Sequence, residues 1–270
     1  MIEKAPVLTT TVLGLPIHQV GLEATLAQMT NWIEEAHARR PGEAPAAPHH
    51  IVTLNPEMVM AAKRDPLLAD IILRADLRTA DGVGVTWAAW LHGRRLTRVT
   101  GIDLLEQSAR LAAERGYRLF LLGAAPGVAA EVAARLVERY PLLQPPGTFS
   151  GSPAAGAEAG ILARLNQVRP DMLFVAFGSP AQERWIAHMR DELGRAGVGV
   201  AVGVGGSFDF ISGRVRRAPG WMRTVGLEWV YRLIREPWRW RRMLALPRFV
   251  LAVMLSFLHT NTGDARRNVE

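Results

Sequence analysis

Asp81 sits in the run Ala80-Asp81-Gly82-Val83-Gly84, just after a short apolar stretch. Flanking glycines let backbone come close to a bound molecule. A carboxylate placed there can take a proton from a substrate hydroxyl as a general base. The same aspartate can also cap a helix starting at Val83, and spacing alone permits both readings.

Other polar residues also end apolar runs, where the strands of an open α/β sheet present ligand sites. Thr53 and Asn55 close HIVTLN, Gly123 closes YRLFLLG, and Gly178, Gln182 and Glu183 follow DMLFVAF. Gly205 and Asp209 follow the glycine-rich run GVGVAVG. The turns FLLGAAPG and GVGGSFDF can offer free amides to a diphosphate or simply reverse the chain. Neither matches GxGxxG, and there is no GxxxxGK[ST] loop. Gln182 can bond a sugar or base, whereas Glu183 also suits the first turn of a helix for its dipole alone.

Metal chemistry finds little support. The sequence has no cysteine, no DxD, no HExxH and no histidine cluster, and His49-His50 reads as a solvated pair at a loop end. The absence of cysteine excludes disulfides and suits a reducing compartment. We therefore expect no metal and no cofactor. Arginines are then the natural partners of a leaving diphosphate.

Arginine is concentrated near the C-terminus. Between Arg214 and Arg248 there are ten arginines against two acids, Glu228 and Glu236, a net +8 in a chain of net +7. Trp221, Trp229, Trp238 and Trp240, four of the eight tryptophans, share this segment. Guanidinium forks suit phosphate and tryptophan suits a membrane–water interface. The ten-residue run FVLAVMLSFL (Phe249 to Leu258) falls short of the roughly 20 residues needed to span a bilayer. It fits a helix in the headgroup plane or one packed on the core. A pI near 10.8 raises nucleic acid as a partner, but no nucleic-acid-binding signature is present and none is expected to bind.

Positioning these groups requires an alternating scaffold. VLTTTVLGLPIHQV reads as a hairpin or two edge strands, and Gly21 to Arg40 has helical apolar spacing. After a proline-rich loop, HIVTLN is a strand, and Asn55-Pro56 opens a helix with Asn55 as its cap. That helix breaks at Asp65-Pro66. LRTA, YRLFLLG, DMLFVAFG and GVGVAVGVGG read as further strands and QPPGTFSG as a strand with a loop, with helices between them. Strands alternating with helices predict an α/β fold, a Rossmann-like, mostly parallel sheet with helices on both faces. A composition shift near Ser212 separates an expected catalytic core, residues 1–212, from a helical, basic, tryptophan-rich appendage, residues 213–270. No secretory signal is visible at the N-terminus.

Seven collinear segments carry a family resemblance: TLNPEMV, ADGVGV, TRVTGIDL, FLLGAAPGV, PDMLFVAFGSPAQERWI, GVGGSFDFISGRVRRAP and GLEWVYRLIREPWRWRR, spanning about residues 50–245. They resemble the WecG/TagA/CpsF glycosyltransferases, bacterial enzymes that add a sugar to a lipid-diphosphate-linked acceptor. The resemblance implies that Asp81 is the catalytic base and that Thr53, Asn55, Arg98 and Gln182 line its site. It implies an appendage that binds the membrane and closes over the site, with Arg232, Arg239 and Arg242 contacting the donor diphosphate. Ala181 stands where a lysine is common, so no lysine contact carries over. The implied reaction is an inverting transfer from a UDP-sugar (N-acetylmannosamine, its uronic acid, or glucose) to a polyprenyl-diphosphate-linked saccharide in surface or exopolysaccharide synthesis. The implied location is cytoplasmic, on the inner face of the cell membrane. A non-enzymatic membrane-surface protein and a nucleotide-binding oxidoreductase are the competing classes; the oxidoreductase lacks its GxGxxG turn. Which sugar is moved, and the oligomeric state, stay open.

Overall fold

The structure, a computed structural model, describes residues 8–40, 43–224, 227–235, 237 and 240–267, without the side chains of 223, 224, 232, 241, 242 and 260–267. A hairpin of β1 (Thr9–Val12) and β2 (Leu15–His18) comes first and pairs only with itself. The main sheet contains β3 (His49–Leu54), β4 (Leu77–Ala80), β5 (Leu119–Gly123), β6 (Gly147–Phe149), β7 (Met172–Ala176) and β8 (Val200–Gly203). Its order is β4-β3-β8-β7-β5-β6 and every pairing is parallel. The chain builds one edge with β3 and β4, crosses to lay down β5 and β6, then returns through β7 to insert β8 beside β3. That route gathers the carboxyl ends of five strands along one rim, where open α/β sheets bind ligands.

Helices cover both faces, so the central strands are apolar almost throughout. One face packs on α1 (Leu22–His37), α5 (Gly101–Arg115), α6 (Val128–Arg139) and the short α10 (Ser207–Ile211), through Met29, Ile33, Leu105, Val132 and Phe208. On the other face, Phe120, Leu122 and Val175 meet α7 (Glu158–Val168), α8 (Ala181–His188) and α9 (Arg190–Arg195). Beside them Val52, Leu54 and Ala80 meet α2 (Pro56–Ala62), α3 (Pro66–Arg74) and α4 (Val83–Leu91). Alternation along β3 is the cause: Ile51 faces one layer and Val52 and Leu54 the other.

Local chemistry sets the helix starts. Asn55 Oδ1 accepts from the Met58 N–H at 2.9 Å, and Asp65 Oδ1 accepts from the Leu68 N–H at 3.1 Å. Each cap precedes a proline at the first helical position, which is why the helix expected after Asn55 divides into α2 and α3. The expected solvated histidine pair is only half so, with His49 partly exposed and His50 buried. His49 and His50 begin a strand between two covered faces: His49 stacks on Trp32 at 4.2 Å, and burial lowers the pKa of His50 to about 4.

Beyond Ser212 the chain forms α11 (Gly220–Thr224), α12 (Glu228–Arg235), α13 (Trp240–Met243) and α14 (Ala245–Arg267). The apolar run read from the sequence lies within α14 and serves two sides. Phe249 and Val253 are each 1% exposed and belong to the core of α2, α3 and α4. On the opposite side Val250, Leu251, Met254, Leu255 and Leu258 are 41–61% exposed. Their spacing at i, i+1, i+4, i+5 and i+8 defines one stripe. Among the described residues no helix is long and apolar enough to cross a membrane.

Candidate active site

A cleft of about 510 Å3 opens at the carboxyl rim. Its walls come from the ends of β3, β4, β5, β7 and β8, from the first turns of α2, α4, α5 and α8, and from α10, α12, α13 and α14. Of the residues singled out from the sequence, it unites Thr53, Asn55, Asp81, Arg98, Gln182, Gly205 and Asp209.

Asp81 follows β4, and its backbone N–H donates to the Leu54 carbonyl at 2.7 Å. It does not cap α4, whose cap position is Gly82 with no side-chain bond. Its carboxylate instead faces the start of α5, where the Gly101 N–H favours the ionised form. Burial pushes its pKa up to about 7. The Arg98 guanidinium and the Gly101 N–H oppose the rise, while the Glu228 and Asp103 carboxylates add to it. Arg98 is held beside Asp81 because its segment bridges to Ala80 at the end of β4, with the Val99 N–H donating to the Ala80 carbonyl at 2.9 Å.

Thr53 Oγ1 donates to the Gly203 carbonyl at 3.2 Å and ties β3 to β8. Asn55 spends its carbonyl oxygen on the α2 cap, so its amide group is the donor it can offer the cleft.

Gln182 is 3% exposed, and its side chain binds protein. Its Oε1 accepts from the N–H groups of Gly178, at 3.1 Å, and Gly205, at 2.9 Å. Its Nε2 donates to Glu183 Oε1 at 2.7 Å. Gln182 thus clasps the loops after β7 and β8, and the Gly205 N–H is spent in the clasp. Glu183, 1% exposed, is buried beneath the clasp and not at a solvated first turn; burial raises its pKa. Gly203 gives the clasp its room, since a Cβ there would lie 2.6 Å from Gln182 Nε2. Replacing Gln182 by Leu strands two backbone donors and a buried carboxylate. We expect a loss of about 2–4 kcal/mol, read as a lower denaturant midpoint with unchanged m-value; an unchanged midpoint would refute the clasp.

Gly123 does not line the cleft. Its φ of +103° and the Ala176 backbone, 2.9 Å from where a Cβ would sit, let β5 and β7 end side by side, and Ala124 and Ala125 form the wall. Arg232 lies in α12 and Arg242 in α13, but their side chains, and all of Arg239, fall outside the described residues.

Sequence reading missed one cluster in the cleft. Arg217 Nη1 donates to Asp103 Oδ1 at 3.1 Å, and its Nε lies 3.7 Å from Glu228 Oε1. Thr100 Oγ1 accepts from the Asp103 N–H at 3.1 Å and donates to Asp103 Oδ2 at 2.7 Å. Thr100 and Asp103 have the spacing of a capping pair, and Glu228 is one of two acids in a strongly basic segment; those were the visible signals. Arg214, by contrast, is held at the surface by Glu131 at 2.7 Å.

Residues 10–263 match the Glycosyl transferase WecG/TagA/CpsF family. The N-acetylglucosaminyldiphosphoundecaprenol N-acetyl-beta-D-mannosaminyltransferase of Bacillus subtilis (strain 168) is 37% identical over 205 residues, covering 76% of this chain and 78% of the relative. The protein of the same name from Bacillus spizizenii is 39% identical over 205 residues, with the same coverage. A cleft at the carboxyl rim of a parallel sheet, an aspartate in its wall and this match over nearly the whole chain agree: the protein belongs to the WecG/TagA/CpsF family and is a glycosyltransferase.

Proposed function

We propose that this enzyme transfers N-acetylmannosamine, or a closely related sugar, from a UDP-sugar to a polyprenyl-diphosphate-linked saccharide in one inverting displacement. The observation that carries the proposal is Asp81, a carboxylate at the cleft wall whose pKa of about 7 suits a base working near neutral pH. Asp81 takes the proton of the acceptor hydroxyl as that oxygen attacks the anomeric carbon, and the UDP oxygen leaves with the bonding electrons. Arg98 and Arg217, both in the cleft, supply positive charge for the departing diphosphate, with Arg232, Arg239 and Arg242 of the appendage as further candidates. These guanidinium groups take the role a metal plays in other transferases. The names of the two relatives support the sugar and the lipid acceptor.

In this reading residues 1–212 carry the base and most of the cleft, and residues 213–270 add arginines to it and hold the enzyme to the membrane. The outer stripe of α14 lies in the headgroup region, where exposed Trp221, Trp229 and Trp240 also favour the interface. The test is UDP release from a panel of UDP-sugars with a short-chain lipid-diphosphate-N-acetylglucosamine acceptor. UDP-N-acetylmannosamine should exceed UDP-glucose by at least about tenfold, the lower end of what one missing substituent costs in a pocket. Release from no member of the panel would overturn the proposal.

A further inference from the structure

A second cavity, of about 250 Å3, opens beside the catalytic cleft. The two adjoin, because Asn55, Glu57, Met58 and Ser179 line both. Its apolar lining is Met58, Met60 and Ala61 of α2, Pro180 ahead of α8 and Ala245 of α14. Two exposed cations, Arg64 and Arg248, complete the wall. Neither is in an ion pair among the described residues. Asp65, next in sequence to Arg64, instead caps α3 and pairs with Arg184. Arg248 is fixed at the groove by its neighbour Phe249, which is buried in the core of α2, α3 and α4. Val250 and Leu251 then open the exposed stripe of α14.

We infer that this groove is the subsite for the lipid-diphosphate part of the acceptor, with Arg64 and Arg248 on the diphosphate and α2 against the first isoprene units. The inference deepens the proposed transfer to a lipid-linked acceptor and rests on it for the ligand's identity. Guanidinium groups suit phosphate oxygens, and a lining of methionine, alanine and proline suits hydrocarbon but gives a nucleotide nothing to bond. The spacing also fits. Asn55 caps the start of α2 at the catalytic cleft, and Arg64 follows its end, about 12 Å further on at a rise of about 1.5 Å per residue. That leaves room for one sugar ring between the reacting hydroxyl and the diphosphate. Glu57, at the junction of the two cavities, repels phosphate and accepts from hydroxyls, which places the sugar there. A prenyl chain leaving past Arg248 meets the stripe of α14, the surface proposed to lie in the headgroup region.

The test uses the full-length enzyme and two probes. Farnesyl diphosphate carries the lipid and diphosphate of the acceptor without its sugar, and UDP carries the diphosphate of the donor. Arg64→Gln together with Arg248→Gln should weaken calorimetric binding of farnesyl diphosphate at least about tenfold, the loss of a charged hydrogen bond to phosphate. UDP binding should stay within about twofold. The KM for the short-chain lipid-diphosphate-N-acetylglucosamine acceptor should rise by a similar factor, with the KM for UDP-N-acetylmannosamine unmoved. Ala61→Phe, which fills the groove without changing charge, should also weaken farnesyl diphosphate. Leu255→Glu with Leu258→Glu, on the stripe and off the groove, should not. Farnesyl diphosphate binding that survives loss of the two arginines, or a loss shared equally by UDP, overturns the inference. The transferase reading fails separately. If farnesyl diphosphate binding depends on both arginines but no UDP-sugar yields UDP, the groove stands as a lipid-diphosphate site and the proposed reaction is wrong. Normal turnover with an unchanged acceptor KM in the arginine variant shows the reverse.

Discussion

Asp81→Asn should lower kcat by about 10²–10⁴-fold, the usual contribution of a positioned general base, while donor affinity changes little. Asparagine keeps the shape but cannot take the proton. The same substitution should stabilise the fold at alkaline pH, and the sign follows from linkage. The folded-state pKa of Asp81, about 7, lies above its ordinary 3.8, so the folded protein binds the proton more tightly than the unfolded chain. The stability this contributes is fully present below about pH 4 and is lost as pH rises through 7. At pH 8 the wild type holds a charged carboxylate in a half-buried cleft wall, which the amide avoids. We expect a gain on the order of 2 kcal/mol at pH 8, or about 4–8 °C in Tm for a chain of this size, shrinking toward zero as pH falls to 4. In the wild type kcat/KM should climb with pH through about 7, as the base loses its proton. Near-normal turnover in the variant would sink the assignment. A melting temperature no higher than wild type at pH 8 would show that Asp81 is solvated in the free enzyme.

Leu251→Glu, Leu255→Glu and Leu258→Glu together should detach the enzyme from lipid without unfolding it. All three lie on the exposed stripe of α14, opposite Phe249 and Val253, and surface changes usually alter stability by less than about 0.5 kcal/mol each. Burying the exposed half of a leucine in lipid is worth about 1 kcal/mol, so three give about 3 kcal/mol, or about 100-fold in partitioning. Flotation with phosphatidylglycerol-containing vesicles should show that loss. The rate on a long-chain acceptor in those vesicles should fall at least about tenfold, while the rate on a soluble short-chain acceptor stays within about twofold. Unchanged flotation would remove the membrane role of α14. Truncating the chain at Gly213 is the weaker test, because it also removes Phe249 and Val253 from the core.

The alternating strands and helices, the cap at Asn55 and the break at Asp65-Pro66 were legible because each depends on neighbours within a few residues. The two-residue alternation of β3 and the proline after each of two caps need no distant partner. The polar residues at strand ends were legible as a set, since a parallel sheet brings the carboxyl ends of its strands to one rim. The roles of individual members were not. Gln182 looked like a ligand donor, yet its amide is spent on Gly178, Glu183 and Gly205; the bond to Gly205 spans 23 positions. Glu183 looked like a helix-dipole residue because burial is a property of what packs above it.

What the sequence by itself determined is the α/β class, the helix starts, Asp81 as the foremost candidate, and a basic, aromatic C-terminal segment. Tertiary structure alone decided which of those groups meet. Arg217 and Asp103 are separated by 114 positions, and nothing local distinguishes that arginine from its neighbours Arg214 and Arg216. Phe249 to Leu258 is apolar on all sides of a helix, so no polar face in the sequence says which side is covered. The choice between a core helix and an interfacial one was therefore undetermined locally. The fold gives α14 both surfaces: α2 and α4 bury only one side, and the other stays exposed.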